Sequence, residues 1–333
     1  MTAEPPPSVE SNPEVVAGAD GTPRPRGGYV APREAGAAAV ARALVEMSRP
    51  EQLLLMAVVY ATGVALAVAR GAAFDPAGAS LGFLVYLPVA ASVHYANEYA
   101  DRGTDLLTDR TPFSGGSGAL ARTRLDPRVA LWAAVAALGV GGAASLSAYA
   151  AGRLSGAALA LLAAVAVLGW GYSLPPLALA WHGLGEVDNA LLGGVLLPSY
   201  GVAVAGALSP GAPLAFVPFG FVVFVNLLAT SWPDRGADAA VGKRTLATRF
   251  EPSTLRRFYL AGVAGAVASV ALVPAAVLPP PVRLAVGASL LPLAWGFRAY
   301  TRRRSALPTV ATMVATAASQ LVAWSAVAAG ATW

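Results

Sequence analysis

The sequence predicts an all-α, polytopic membrane bundle of nine transmembrane helices with pseudo-repeated four-helix units. Three observations carry this prediction. First, 56% of the 333 residues are hydrophobic and only 12% are charged, and the mean hydropathy of +0.60 lies outside the range of ordinary soluble domains. Second, the apolar residues fall in long runs without strand-like alternation, each near the roughly 20 residues that a spanning helix needs. Helices and closed barrels alone satisfy the backbone in lipid. Third, two aspartate pairs, Asp101/Asp105 and Asp234/Asp238, share the spacing D-x-x-x-D and are separated by the same 133 positions (101 to 234, 105 to 238). Carboxylates beside lipid are costly and tend to persist for function.

Residues 1–35 are rich in Pro, Gly, Glu and Ala and lack periodicity, which predicts a disordered cytoplasmic tail. No basic segment followed by an apolar core opens the chain, so no cleaved signal peptide is expected. Residues 36–48 (GAAAVARALVEMS) predict a short amphipathic helix lying on the membrane. Residues 49–333 form the helical domain, entered at Arg49-Pro50 with proline where a helix start tolerates it. Its nine apolar segments run near 53–70, 80–99, 128–151, 154–172, 187–207, 211–231, 257–278, 281–298 and 307–331. The first aspartate pair follows the second segment and the second pair the sixth, so a four-helix unit separates two pseudo-equivalent, parallel halves.

Orientation follows from where Lys and Arg sit. Of the 23 basic residues, all but Arg70, Arg153 and Arg283 fall in the N-terminal tail or in the second-to-third, sixth-to-seventh and eighth-to-ninth connections. That places the N-terminus and both aspartate pairs in the cytoplasm and the C-terminus outside. Because topology accounts for the net charge of +5, no nucleic-acid partner is expected. The partner is the lipid bilayer.

The chain has no cysteine, which excludes disulfides, thiolate metal sites and cysteine nucleophiles. Its two histidines, His94 and His182, are too few and too far apart for a zinc cluster. Oxygen ligands remain, and these favour Mg²⁺, with Mn²⁺ as the alternative. Asn97, Asp101 and Asp105 follow one another at steps of four, so a helix continuing through Gly103 would align three hard oxygen donors on one face. Basic residues follow each pair: Arg110 after the first, Lys243 and Arg244 after the second. Carboxylates, a divalent metal and basic residues above an apolar bundle suit a diphosphate head with a long hydrocarbon tail, that is, a prenyl diphosphate. Three residues and one loop are candidates for supporting roles. Arg49 can pair with an acceptor carboxylate or serve as an anchor. Tyr172 can orient an aromatic acceptor or face an allylic cation. His94 can support the metal site. Thr111–Gly118 can form a phosphate-contacting loop.

From residue 49 to about 331 the chain resembles the UbiA superfamily of intramembrane prenyltransferases. The resemblance rests on Asn97-x-x-x-Asp101-x-x-x-Asp105, Tyr172-Ser173-Leu174-Pro175-Pro176, Asp234-x-x-x-Asp238 and Gly242-Lys243-Arg244-Thr245-Leu246. It implies nine helices and Mg²⁺-dependent transfer of a prenyl group to an acceptor, usually aromatic, with release of pyrophosphate. Trp181-His182-Gly183-Leu184-Gly185-Glu186 and Gly242–Arg249 resemble the branch that prenylates 1,4-dihydroxy-2-naphthoate in menaquinone biosynthesis. Glu98 and Trp232-Pro233 depart from that branch's pattern. Other acceptors therefore stay open: 4-hydroxybenzoate, homogentisate, a glycerophosphate lipid or phosphoribosyl diphosphate. A cation transporter is the rival of another class, but it would place acids near the midplane, where these segments carry almost none. A CDP-alcohol phosphotransferase would cluster its acids in one motif.

Overall fold

The computed structural model describes residues 12–330. Among the described residues, eight helices are long and apolar enough to cross a membrane. In chain order, α1 is Ala37–Met47, α2 Pro50–Ala69, α3 Pro76–Ala100, α4 Arg102–Leu107, α5 Ala119–Thr123, α6 Arg128–Ala150 and α7 Gly156–Ser173. There follow α8 Gly185–Ala205 and α9 Pro213–Ser231, then α10 Arg235–Ala240, α11 Pro252–Leu272, α12 Pro280–Ser289, α13 Pro292–Ala299 and α14 Leu307–Ala328. The spanning helices are α2, α3, α6, α7, α8, α9, α11 and α14. Trp132, Leu272 and Leu284 are among the large apolar side chains turned outward, the arrangement of a multi-pass protein in lipid.

The eighth expected segment, 281–298, is not one helix. It is broken into α12 and α13, so a count of nine unbroken spans does not hold among the described residues. Pro292 is the physical reason: it brings no N–H to the ladder, and its ring clashes with the carbonyl four residues back. The starts of the other helices are written locally. Proline occupies the first turn of α2, α3 and α11, while Asp75 caps α3 through Ala77 N at 3.0 Å and Ser155 caps α7 through Ala158 N at 3.1 Å.

Of the expected disordered tail, residues 1–11 lie outside the described residues. From residue 12 the structure differs from that expectation, with strands β1 (Val15–Ala17) and β2 (Pro23–Pro25) pairing antiparallel in register Val16 to Arg24. The residues expected to lie on the membrane form α1, which buries Ala43 and Met47 against Leu120 and Leu125.

The two halves pack reciprocally at the centre, where α2 crosses α8. A Cβ on Gly63 would strike the Pro198 carbonyl, and one on Gly201 would strike the Tyr60 carbonyl. Each helix thus offers a glycine to the other's backbone, the small-residue packing that membrane helices favour. The same pairing recurs outward, with α3 against α6 in one half and α9 against α11 in the other. Within α8 the residues Leu192–Leu196 form a π-turn just before Pro198, which cannot donate to the ladder. An aromatic cluster of Tyr60, Phe83, Tyr86 and Tyr200 fills the centre, with Tyr60 and Tyr200 ring centroids 5.7 Å apart. Gly63→Leu should force α2 and α8 apart and cost about 1–3 kcal/mol. A lowered thermal midpoint in detergent is the expected result, and an unchanged midpoint would refute the close crossing.

Candidate active site

Both aspartate motifs occur where a spanning helix breaks into a short one. Helix α3 ends at Ala100, Asp101 caps it, and α4 begins at Arg102. The i-to-i+4 backbone bonds nevertheless persist, from Asp101 N to Asn97 O at 2.8 Å and from Asp105 N to Asp101 O at 2.8 Å. Asn97 Nδ2 donates to Asp101 Oδ2 at 2.9 Å and lies 3.1 Å from Ser173 Oγ on α7. The second motif is built the same way: α9 ends at Ser231, Asp234 caps α10, and Asp238 N donates to Asp234 O at 2.9 Å.

The two pairs meet. Lys243 Nζ donates to Asp101 Oδ1 at 2.8 Å and lies 3.6 Å from Asp238 Oδ1. The loop after α4 crosses to the other half as well, with Gly115 N donating to Asp234 Oδ2 at 3.1 Å. Gly116 sits at φ 62°, and a Cβ there would strike the Asp105 carboxylate, so only glycine fits. Arg110 folds back on this loop, its guanidinium donating to Gly115 O at 2.9 Å and Gly116 O at 2.8 Å.

Glu98 fixes the other end of the loop, accepting from Ser117 N at 2.8 Å and from Ser117 Oγ at 2.7 Å. It also pairs with Arg49 at 2.7 Å, and Arg49 Nη2 donates to Asn97 Oδ1 at 2.9 Å. Arg49 enters α2 at φ 53°, a left-handed conformation that ordinary side chains adopt at a cost of roughly 1–3 kcal/mol. His94 supports the same corner: its Nδ1 lies 2.7 Å from Ser48 O, so it braces the start of α2 and touches no carboxylate of the pairs.

These groups line a cavity of ≈ 850 Å³. Arg49, Asn97, Asp101, Asp105, Arg110, Tyr172, Asp234, Asp238 and Lys243 all reach it, and Leu55, Met56, Tyr86, Leu197, Phe219 and Val223 give it an apolar wall. Arg244 does not reach it. Gly242 turns the chain at φ 79°, Lys243 points in, and Arg244 is left exposed with its backbone N bonded to Trp181 O at 3.2 Å. Glu186 and Thr245, which the sequence offers only as parts of motifs, also line the cavity, as do Asn189 and Asn226, which it does not single out. For Asn226 the signal was available, as it is a lone amide inside an apolar span.

Burial dominates the electrostatics. It raises the Asp105 carboxyl well above the usual range, and the neighbouring charges of Asp101 and Glu98 push it further. Burial likewise raises Asp234 to about 6 and Asp238 to about 7, against the lowering effects of Gly115 N and Lys243 respectively. For Lys243 burial acts downward, yet Asp101 and Asp238 outweigh it and the ammonium stays charged. Asp234 Oδ1 and Asp238 Oδ1 are buried and have no hydrogen-bond partner. Asp238 Oδ1 has the Lys243 ammonium at 3.6 Å but no hydrogen bond, and Asp234 Oδ1 has neither, so both can take further positive charge. Among the described residues, however, no group of three or more acidic or imidazole side chains could hold a metal ion by itself.

Residues 56–319 match the model of the UbiA prenyltransferase family. The chain belongs to this family, and it is therefore a prenyltransferase. Solved structures agree on the fold. A UbiA homolog from Archaeoglobus fulgidus bound to GPP and Mg²⁺ superposes with a TM-score of 0.67 at 19% identity, covering 86% of this chain and 99% of that one. The apo UbiA homolog from Aeropyrum pernix K1 gives 0.64 at 18%, covering 83% and 97%. A digeranylgeranylglyceryl phosphate synthase gives 0.61 at 14%, covering 86% and 99%. No curated protein sequence matches the chain.

The Arg49–Glu98 pair is the part of this prenyltransferase's site most exposed to a single change. Glu98→Ala would leave Arg49 buried without its counter-charge and release Ser117, at a cost of about 3–5 kcal/mol. Thermal unfolding in detergent should show a midpoint lowered accordingly. A variant as stable as the parent would mean that the pair contributes nothing.

Proposed function

We propose that the enzyme transfers a prenyl group from a prenyl diphosphate, bound through Mg²⁺ or Mn²⁺, to an aromatic acceptor, releasing pyrophosphate at a site facing the cytoplasm. The carrying observation is the convergence of both aspartate pairs on one cavity, with two carboxylate oxygens lacking hydrogen bonds and Lys243 between the pairs. Asp101, Asp105, Asp234 and Asp238, with Asn97, are the residues that would hold the metal. Too few acids to cage an ion unaided is the donor set that suits Mg²⁺, which completes its shell with phosphate oxygens. Once bound, the metal supplies charge neutralisation at the diphosphate and makes it a better leaving group.

The protein's own groups do the rest. Lys243 places positive charge beside the phosphate oxygens, where charge grows as the allylic C–O bond breaks, and Arg49, paired with Glu98, holds Asn97 in place. Arg110 acts on the loop Thr111–Ser117, holding Gly115 and Gly116 carbonyls back so that the backbone lies over the carboxylates. The apolar wall takes the hydrocarbon tail. Tyr172 at the cavity presents a ring suited to an allylic cation. The electron-rich acceptor ring then attacks the allylic carbon, forming the new C–C bond, and loses a proton to recover aromaticity. Local resemblance around Trp181–Glu186 favours 1,4-dihydroxy-2-naphthoate as the acceptor.

Asp101→Ala and Asp234→Ala should each reduce Mg²⁺-dependent pyrophosphate release by roughly a hundredfold or more, while the protein still inserts. Full activity in either variant would remove the metal-site assignment. Mass spectrometry of products, with several prenyl diphosphates offered alongside candidate aromatic acids, identifies the acceptor. A prenylated product carrying no aromatic ring would overturn that part of the proposal.

A further inference from the structure

The N-terminal ribbon is packed where it can influence the aspartate site from behind. Val15, at the start of β1, is 4% exposed and sits between Leu107 of α4, 3% exposed, and Ala237 of α10, 4% exposed. Leu106 and Val241 complete this small apolar cluster. Pro23 on β2 lies over Gly103, close to Val241. Asn12 Nδ2 donates to Leu106 O at 3.2 Å. Farther along, Val30 N donates to Arg124 O at 2.7 Å and Asp126 N donates to Val30 O at 3.1 Å, which anchors the segment's exit.

The helices it joins matter. Helix α4 carries Asp105 and α10 carries Asp238, so each brings one carboxylate from a different half of the bundle. Leu107 is two residues from Asp105, and Ala237 is the immediate neighbour of Asp238. On the inner side the halves are joined through polar contacts, Lys243 to Asp101 and Gly115 N to Asp234. On the outer side Val15 adds an apolar joint between α4 and α10 that places no charge at the site.

We propose that the ribbon Val15–Pro25 is a positioning element that holds α4 and α10 at the separation required for the two carboxylate sets to bind one metal–diphosphate unit, with Val15 as its key residue. Val15 touches neither substrate nor metal and acts through the two helices. The inference rests on the proposed use of both aspartate pairs for Mg²⁺. Loosening the joint should therefore weaken metal binding more than it slows the loaded enzyme.

The test uses the full chain in detergent or nanodiscs, with pyrophosphate release followed as Mg²⁺ is varied at saturating prenyl diphosphate and acceptor. Val15→Asp drives a charge into the cluster and should raise the half-saturating Mg²⁺ concentration roughly three- to tenfold. The rate at saturating Mg²⁺ and the thermal midpoint of the bundle should stay near those of the parent. Val15→Ile, which keeps the apolar contact, should restore the parent Mg²⁺ curve. A parent-like Mg²⁺ curve for Val15→Asp would overturn the proposal, and so would a loss of rate at saturating Mg²⁺ with no shift in Mg²⁺ requirement. Absence of Mg²⁺-dependent release in the parent itself would instead overturn the metal-site reading, so the two failures are distinguishable.

Discussion

The site depends on one contact between the two halves: the Lys243 ammonium on Asp101, with Asp238 beside it. Buried carboxylates without compensation would cost several kcal/mol each, and here four converge on one apolar-walled cavity. A single lysine cannot neutralise them all. The remaining imbalance is visible as the raised Asp105, Asp234 and Asp238 carboxyls and as one oxygen each of Asp234 and Asp238 without a hydrogen bond. A protein that folds into such an arrangement is built to accept positive charge, and a metal carrying a diphosphate provides positive charge and phosphate oxygens together. On the proposed reading, stability is traded there for binding.

The fold serves that contact. Reciprocal glycines let α2 and α8 cross closely enough for the halves to share one interior. The i-to-i+4 backbone bonds persist through the breaks at Asp101 and Asp234, so the two carboxylates of each motif stay on one face, toward the cavity. Glu98 then fastens three chain segments at once, namely the entry to α2, the end of α3 and the loop at Ser117. Here a buried ion pair is made worthwhile by the additional hydrogen bonds that satisfy it.

Much of this is legible in the sequence because lipid imposes a simple code. Apolar runs give the spans, basic residues mark one end of the bundle, and acids stand out against both. The matched spacing of Asp101/Asp105 and Asp234/Asp238 already implied one site from two halves. What escaped was set by contacts distant in sequence or by local turns. The break before Pro292 lies inside a run whose hydropathy alone reads as continuous. Val15 finds its partners at Leu107 and Ala237, which no local pattern announces in a segment rich in proline and glycine. Lys243 and Arg244 are neighbours of like charge, yet the turn at Gly242 sends one inward and leaves the other in solvent. Glu98 reads as a stray acid at a helix end until Arg49 and Ser117 are seen around it.

The most direct measurement is a crystal structure of the enzyme with Mn²⁺ and an unreactive prenyl thiodiphosphate, with the metals located by anomalous scattering. The account predicts metal density touching both the Asp101/Asp105 and Asp234/Asp238 carboxylates, the diphosphate between them, and the hydrocarbon chain against Met56, Leu197 and Phe219. A diphosphate bound with metal at only one pair, or outside this cavity, would contradict it.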